Sequence, residues 1–152
     1  MAALPKEKNI LKLNITMDKN ETSPQATGEM TVTHISFSQL SSLWSLHRQT
    51  WQWNNPFVTP AWLTAWWTHF ADKNELLLLK VCFDDRPVGV APLMVKNSTA
   101  TFIGSTDLCD LGDFIVEPGF HSCFYQAILD YLHQHKIHHL VLEQVQPGSH
   151  VY

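Results

Sequence analysis

Two almost wholly apolar stretches, Glu75 to Phe83 and Pro87 to Lys96, are separated only by Asp84-Asp85-Arg86. So short a polar connection between two strand-forming runs predicts a tight antiparallel hairpin. Neither run alternates cleanly between apolar and polar residues, so both faces of the hairpin need cover. That cover has to come from elsewhere in the chain. The expected class is therefore α/β, a mixed sheet with helices on both sides.

The flanking segments supply such elements. Thr31 to Ser36 is rich in β-branched residues and predicts a strand, and Ser38 stands where it can cap the helix that follows. In that helix Leu40, Leu43, Trp44, His47 and Trp51 recur at the three- and four-residue steps of one buried face. Asn54-Asn55-Pro56 breaks it. Thr59-Pro60 then offers a cap with proline at the first helical position, and Trp62, Leu63, Trp66, Trp67 and Phe70 follow on one side of a second helix. Downstream of the hairpin, Ala100 to Gly104 and Leu111 to Val116 are two strand pieces. A third helix from about Phe120 to His135 buries Phe120, Phe124, Ala127, Ile128, Tyr131 and Leu132, and His139 to Gln144 is the last strand. The expected order is β-α-α-β-β-β-α-β.

Residues 1–29 carry four lysines, four acidic residues and no periodicity. They read as a flexible leader to one domain over 30–152. The alternation Leu11-Lys12-Leu13-Asn14-Ile15 offers an added edge strand as the alternative. The start of the chain has no apolar signal region, and runs such as Leu76 to Leu79 fall far short of the roughly 20 residues a membrane span needs. Three cysteines, Cys82, Cys109 and Cys123, without a C-x-x-C pair argue against a disulfide framework. A reducing, cytoplasmic setting is expected. A net charge of −4 with only two arginines, Arg48 and Arg86, leaves no footprint for nucleic acid or an anionic membrane.

The local wording resembles one branch of the GNAT acetyltransferase fold, the CelD/BcsL-like acyltransferases related to the FemAB group. The resemblance is carried by Asn55-Pro56-Phe57-Val58-Thr59-Pro60-Ala61-Trp62-Leu63 leading into Trp66-Trp67-Thr68-His69-Phe70. Glu75-Leu76-Leu77-Leu78-Leu79-Lys80-Val81 and Pro87-Val88-Gly89-Val90-Ala91-Pro92-Leu93 continue it. Phe102-Ile103-Gly104, Asp107, Cys109-Asp110 and Asp113-Phe114-Ile115 complete it. The likeness spans about residues 30–145, and the predicted order of elements is the first two-thirds of the GNAT fold.

Members of that branch look like two GNAT-type halves in one chain, with the acyl-CoA site in the second. The resemblance thus implies that this chain corresponds to the first half, working with a second GNAT-like half or as a homo-oligomer. In GNAT enzymes the pyrophosphate of acyl-CoA sits on backbone N–H groups where the fourth strand meets the third helix, on a Gln/Arg-x-x-Gly-x-Gly/Ala loop. Here the junction reads Val116-Glu117-Pro118-Gly119-Phe120-His121. It has one glycine, a proline that removes an N–H, and a carboxylate that repels phosphate. The expectation is a domain that binds no cofactor itself, acetyl-CoA or another acyl-CoA being implied only for the intact enzyme. The alternatives are a non-catalytic binding or assembly module reusing the fold, and a self-contained acetyltransferase with an altered CoA loop.

No residue is assigned as catalytic. Asp107, Asp110 and Asp113, at three-residue steps on an irregular stretch, are candidates for holding an amine or a sugar hydroxyl, although aspartates in such places also cap turns. Of the six tryptophans, Trp51 and Trp53 stand next to Asn54-Asn55, where the helix is broken, and are the candidates for lining a cleft, whereas Trp62, Trp66 and Trp67 sit at core spacing. His133, His135, His138 and His139 do not make a metal site. The first two lie about 200° apart on a helix, and histidines at a helix end complement its dipole. Cys109 beside Asp110 is a poor thiolate and reads as inert.

Overall fold

The computed structural model describes residues 10–15, 28–53, 55–104, 108 and 111–145. Its elements run β1 (Ile10–Asn14), β2 (Met30–His34), α1 (Phe37–His47), α2 (Pro60–Phe70), β3 (Glu75–Phe83), β4 (Arg86–Lys96), β5 (Thr99–Phe102), β6 (Ile115–Val116), α3 (His121–Gln134) and β7 (His139–Glu143), with a short 3-10 turn at Pro56–Val58 before α2. The seven strands form one mixed sheet in the order β1-β7-β5-β4-β3-β2, with β6 also paired to β4.

The hairpin forms as its composition requires. Asp84 and Asp85 both take positive φ, 47° and 64°. Two consecutive left-handed residues match the right-handed twist of the strands they join. The next turn, Asn97-Ser98 between β4 and β5, is built the same way, with φ of 51° and 60°. Along β3 the side chains divide between two cores. Leu77, Leu79 and Val81 pack with Phe124, Ile128 and Leu132 of α3. Leu78 packs with Leu40, Leu43, Leu63 and Trp66 of α1 and α2. A run apolar on both faces is thus explained by helices on both faces.

Three boundaries differ from expectation. The N-cap of α1 is Ser36, not Ser38: Ser36 Oγ accepts from Gln39 N–H at 3.1 Å, and Gln39 Oε1 accepts from Ser36 N–H at 2.8 Å. This reciprocal capping box satisfies two end donors, where Ser38 alone would satisfy one. At α2 the hydroxyl of Thr59 donates to the carbonyl of Pro56 at 2.7 Å and does not cap the helix. The third concerns the expected leader, which contains β1 at the sheet edge, antiparallel to β7. Its Leu11, Leu13 and Ile15 are half-buried on the α3-side core while Ile10, Lys12 and Asn14 face out. The expected order is therefore extended by one strand, and its last middle strand is split into β5 and β6. Among the described residues, no helix is long and apolar enough to cross a membrane.

Candidate functional site

The split between β5 and β6 follows from one residue. Both strands run antiparallel along the same edge of β4, β5 against Leu93–Lys96 and β6 against Gly89–Val90. Between them lies Pro92, whose carbonyl accepts from Ile103 N–H at 2.9 Å. On an antiparallel strand the N–H and C=O of one residue point to the same neighbour, so the donor that proline lacks is missing on this edge. The β5 ladder ends there, and pairing to β4 is next seen at Ile115 and Val116.

β7 runs parallel to β5 over Thr99–Thr101, and among the described residues this is the only parallel pair in the sheet. Beyond it the carboxyl ends of β5 and β7 frame a crevice of about 200 Å³ lined by Met94, Thr101, Gly104, Leu111, Glu143 and Gln144, among others. Gly112 N–H donates to the Gln144 carbonyl at 3.2 Å across its floor. An alanine Cβ at Gly112 would stand 2.6 Å from the Phe102 ring, so glycine is needed for that approach. The carboxyl ends of neighbouring parallel strands are where open α/β sheets hold ligands.

Of the three candidate aspartates, Asp107 and Asp110 lie outside the described residues, as does Cys109. Their segment joins Gly104 to Leu111, both of which line the crevice. Asp113 is half-buried and its Oδ1 accepts from Phe114 N–H at 2.9 Å.

Of the two tryptophans expected to line a cleft, Trp51 is 4% exposed and part of the α1/α2-side core. Its ring stacks on His47 at 4.2 Å and lies nearly parallel to Trp53 at 6.1 Å. The reason is local: Trp51 N–H donates to the His47 carbonyl at 2.8 Å, a last turn that carries the ring back against the helix. Trp53 is half-buried, and its indole N–H has no acceptor among the described residues.

The start of α3 also differs from its sequence reading. Glu117 does not stand as a lone negative charge: its Oε2 accepts from Arg86 Nη1 at 2.6 Å, and the guanidinium lies 5.1 Å over the Phe120 ring. Glu117 N–H donates to Val88 O at 2.8 Å and Phe120 N–H to Glu117 O at 3.1 Å. Gly119 takes φ of +95°, and no side chain caps the helix. His47 feels this cluster. Burial lowers its pKa, the Glu117 carboxylate opposes that and the Arg86 guanidinium reinforces it. The folded protein then binds this proton less readily than the unfolded chain does. The stability His47 contributes is complete above its ordinary value of 6.5 and is lost as the pH falls below it. Thermal melts from about pH 7 to pH 5 should therefore fall less steeply in His47→Phe, which keeps a ring on Trp51 without a titrating group. An unchanged slope would mean that His47 titrates as an exposed side chain.

Sequence reasoning missed Arg86 as the partner of Glu117, and Glu143, Gln144 and Thr101 as crevice residues. Only their placement beside one another in the fold marks them, and they come from distant segments. No protein-family model, curated protein or solved structure matches this chain.

Proposed function

We propose that this domain is the acceptor-side half of a GNAT-type acyltransferase of the CelD/BcsL-like kind, with the acyl-CoA held by a second GNAT-like half. One observation carries the reading: at the β6–α3 junction three of the backbone positions that could cradle a diphosphate have their donors spent or missing. Glu117 and Phe120 spend their N–H groups within the fold, and Pro118 has none. Arg86, the cation seen at this junction, is already engaged by Glu117 and by the ring of Phe120. To be held by Arg86, an incoming phosphate would have to displace the charge-assisted hydrogen bond to Glu117. The ground for the reading thus moves from repulsion by an unpaired carboxylate to the donors at positions 117, 118 and 120 and the guanidinium of Arg86, which the fold already uses or lacks.

The crevice at the ends of β5 and β7 supports the other half of the proposal. Glu143, Gln144 and Thr101 offer hydrogen-bonding groups beside apolar Met94 and Leu111, a mixture suited to positioning a polar acceptor. The segment with Asp107 and Asp110 begins and ends at this crevice. In the complete enzyme an amine or hydroxyl held there would attack the thioester carbonyl, a general base taking its proton and a backbone N–H polarising the carbonyl, and the C–S bond would break to release the CoA thiol.

Titration calorimetry with acetyl-CoA tests the proposal. The chain alone should give no saturable heat, and a mixture with its second half should. Micromolar affinity for the isolated chain would overturn the reading in favour of a self-contained acetyltransferase.

A further inference from the structure

At the far end of α3 from the junction lies a second concavity, a groove of about 570 Å³ with Lys73, Lys96, Lys136, Glu75, His34 and Tyr131 among its lining. The three lysines come from the α2–β3 turn, the end of β4 and the residue pair after α3. No carboxylate among the described residues pairs with any of them. Three ammonium groups against the single carboxylate of Glu75 leave a surplus of two positive charges, in a chain whose net charge is −4. Leu77 and Ile137 supply an apolar floor.

Lys136 occupies a position that stability would give to another residue. Ile137 N–H donates to the Leu132 carbonyl at 2.9 Å and Lys136 N–H to the His133 carbonyl at 3.1 Å, a Schellman termination. Its left-handed residue is Lys136, with φ of 58°, where glycine fits without strain. A cation at a helix C-terminus complements the dipole, and that would account for Lys136 alone. It does not account for Lys73 and Lys96, which belong to other elements and converge on the same groove.

The polar wall is pre-arranged. The Tyr131 hydroxyl is 2.6 Å from His34 Nε2, and the Tyr131 ring stacks on His135 at 3.9 Å. His135 Nδ1 lies 2.8 Å from the Tyr131 carbonyl, which can only accept, so that nitrogen carries the hydrogen and Nε2 is left facing away from this bond. Burial raises the Tyr131 pKa, so its hydroxyl remains a donor at neutral pH. Ammonium groups are compact partners for phosphate oxygens, and a phosphomonoester carries about −1.5 to −2 at neutral pH.

We propose that this groove binds a small phosphomonoester, its dianionic phosphate held by Lys73, Lys96 and Lys136 and its apolar body resting on Leu77 and Ile137. This site is independent of the acyltransfer reading, since it lies at the other end of α3. The test follows amide and imidazole NMR shifts as phenyl phosphate, inorganic phosphate or phenyl sulfate is added to the full chain. Phenyl phosphate should shift Ser98, Lys136 and His135 saturably, inorganic phosphate should shift the same signals with weaker affinity, and the monoanionic sulfate should bind weakest. Lys96→Ala and Lys136→Gly should each weaken phenyl phosphate about tenfold. Lys136→Gly should at the same time raise the melting temperature by about 2–4 °C, so lost binding cannot be blamed on lost fold. Equal affinity for phenyl sulfate, affinities unchanged in the two variants, or no saturable shift would each overturn the proposal.

Discussion

Replacing Phe124 by alanine should lower the unfolding free energy by about 3–5 kcal/mol, read from the denaturant midpoint. Its ring is 1% exposed and sits between α3 and the sheet, edge-on to Phe114 at 5.5 Å. The ring reaches that depth because Gly89 lies beneath it. An alanine Cβ at Gly89 would stand 2.7 Å from Phe124 Cδ2 and Cε2 and 2.8 Å from the Ile115 carbonyl oxygen. The backbone has little freedom to retreat, since Gly89 is paired to Val81 of β3 on one side and to Val116 of β6 on the other. Gly89→Ala alone should therefore cost about 1–3 kcal/mol through overpacking. The two changes are coupled: once the ring is gone, two of the three nearest atoms facing the added methyl are removed and the Ile115 oxygen is left, so its cost should fall by about half or more. Equal cost in both backgrounds would mean that backbone strain, not the ring, dictates glycine at position 89.

That pairing illustrates which parts of the fold can be read from the chain alone. The β3–β4 hairpin is legible because each of its strands is buried on two faces, and a nine-residue run such as Glu75–Phe83 has few other ways to hide its leucines. The helix faces are legible for the related reason that one apolar stripe repeats within a single element. β1 is not, because an edge strand buries only one face. Its alternation over Leu11 to Ile15 is short, and its partner β7 lies at the other end of the chain. The β5–β6 break had a visible cause in Pro92, but reading it requires knowing which neighbour that proline faces. The crevice and the lysine groove are harder still. Each assembles side chains from three or more elements, so no spacing along the sequence records them. The Arg86–Glu117 bridge spans 31 positions, and without it the junction looked more repulsive than it is.

Trp51→Ala should be as damaging as the loss of Phe124, about 3–5 kcal/mol, and this outcome separates a core residue from a cleft residue. A tryptophan that lined an open cleft could be truncated with little effect on the denaturant midpoint, since its ring would already be in water. Trp51 instead shares the α1/α2-side core with Leu40, Leu43, Leu63 and Trp66, and is held face to face against His47. Truncation would remove the stacking partner of His47 and open a void beneath Trp53. Trp51→Phe, which keeps an aromatic face, should recover much of the loss. Trp53 should behave differently. It is only half-buried, so Trp53→Ala should cost less than Trp51→Ala. Because its indole N–H meets no acceptor among the described residues, Trp53→Phe should be nearly neutral, as no protein hydrogen bond is lost. A Trp51→Ala protein with an unshifted midpoint would return Trp51 to the cleft, and with it the wall that the sequence first suggested for a bound substrate.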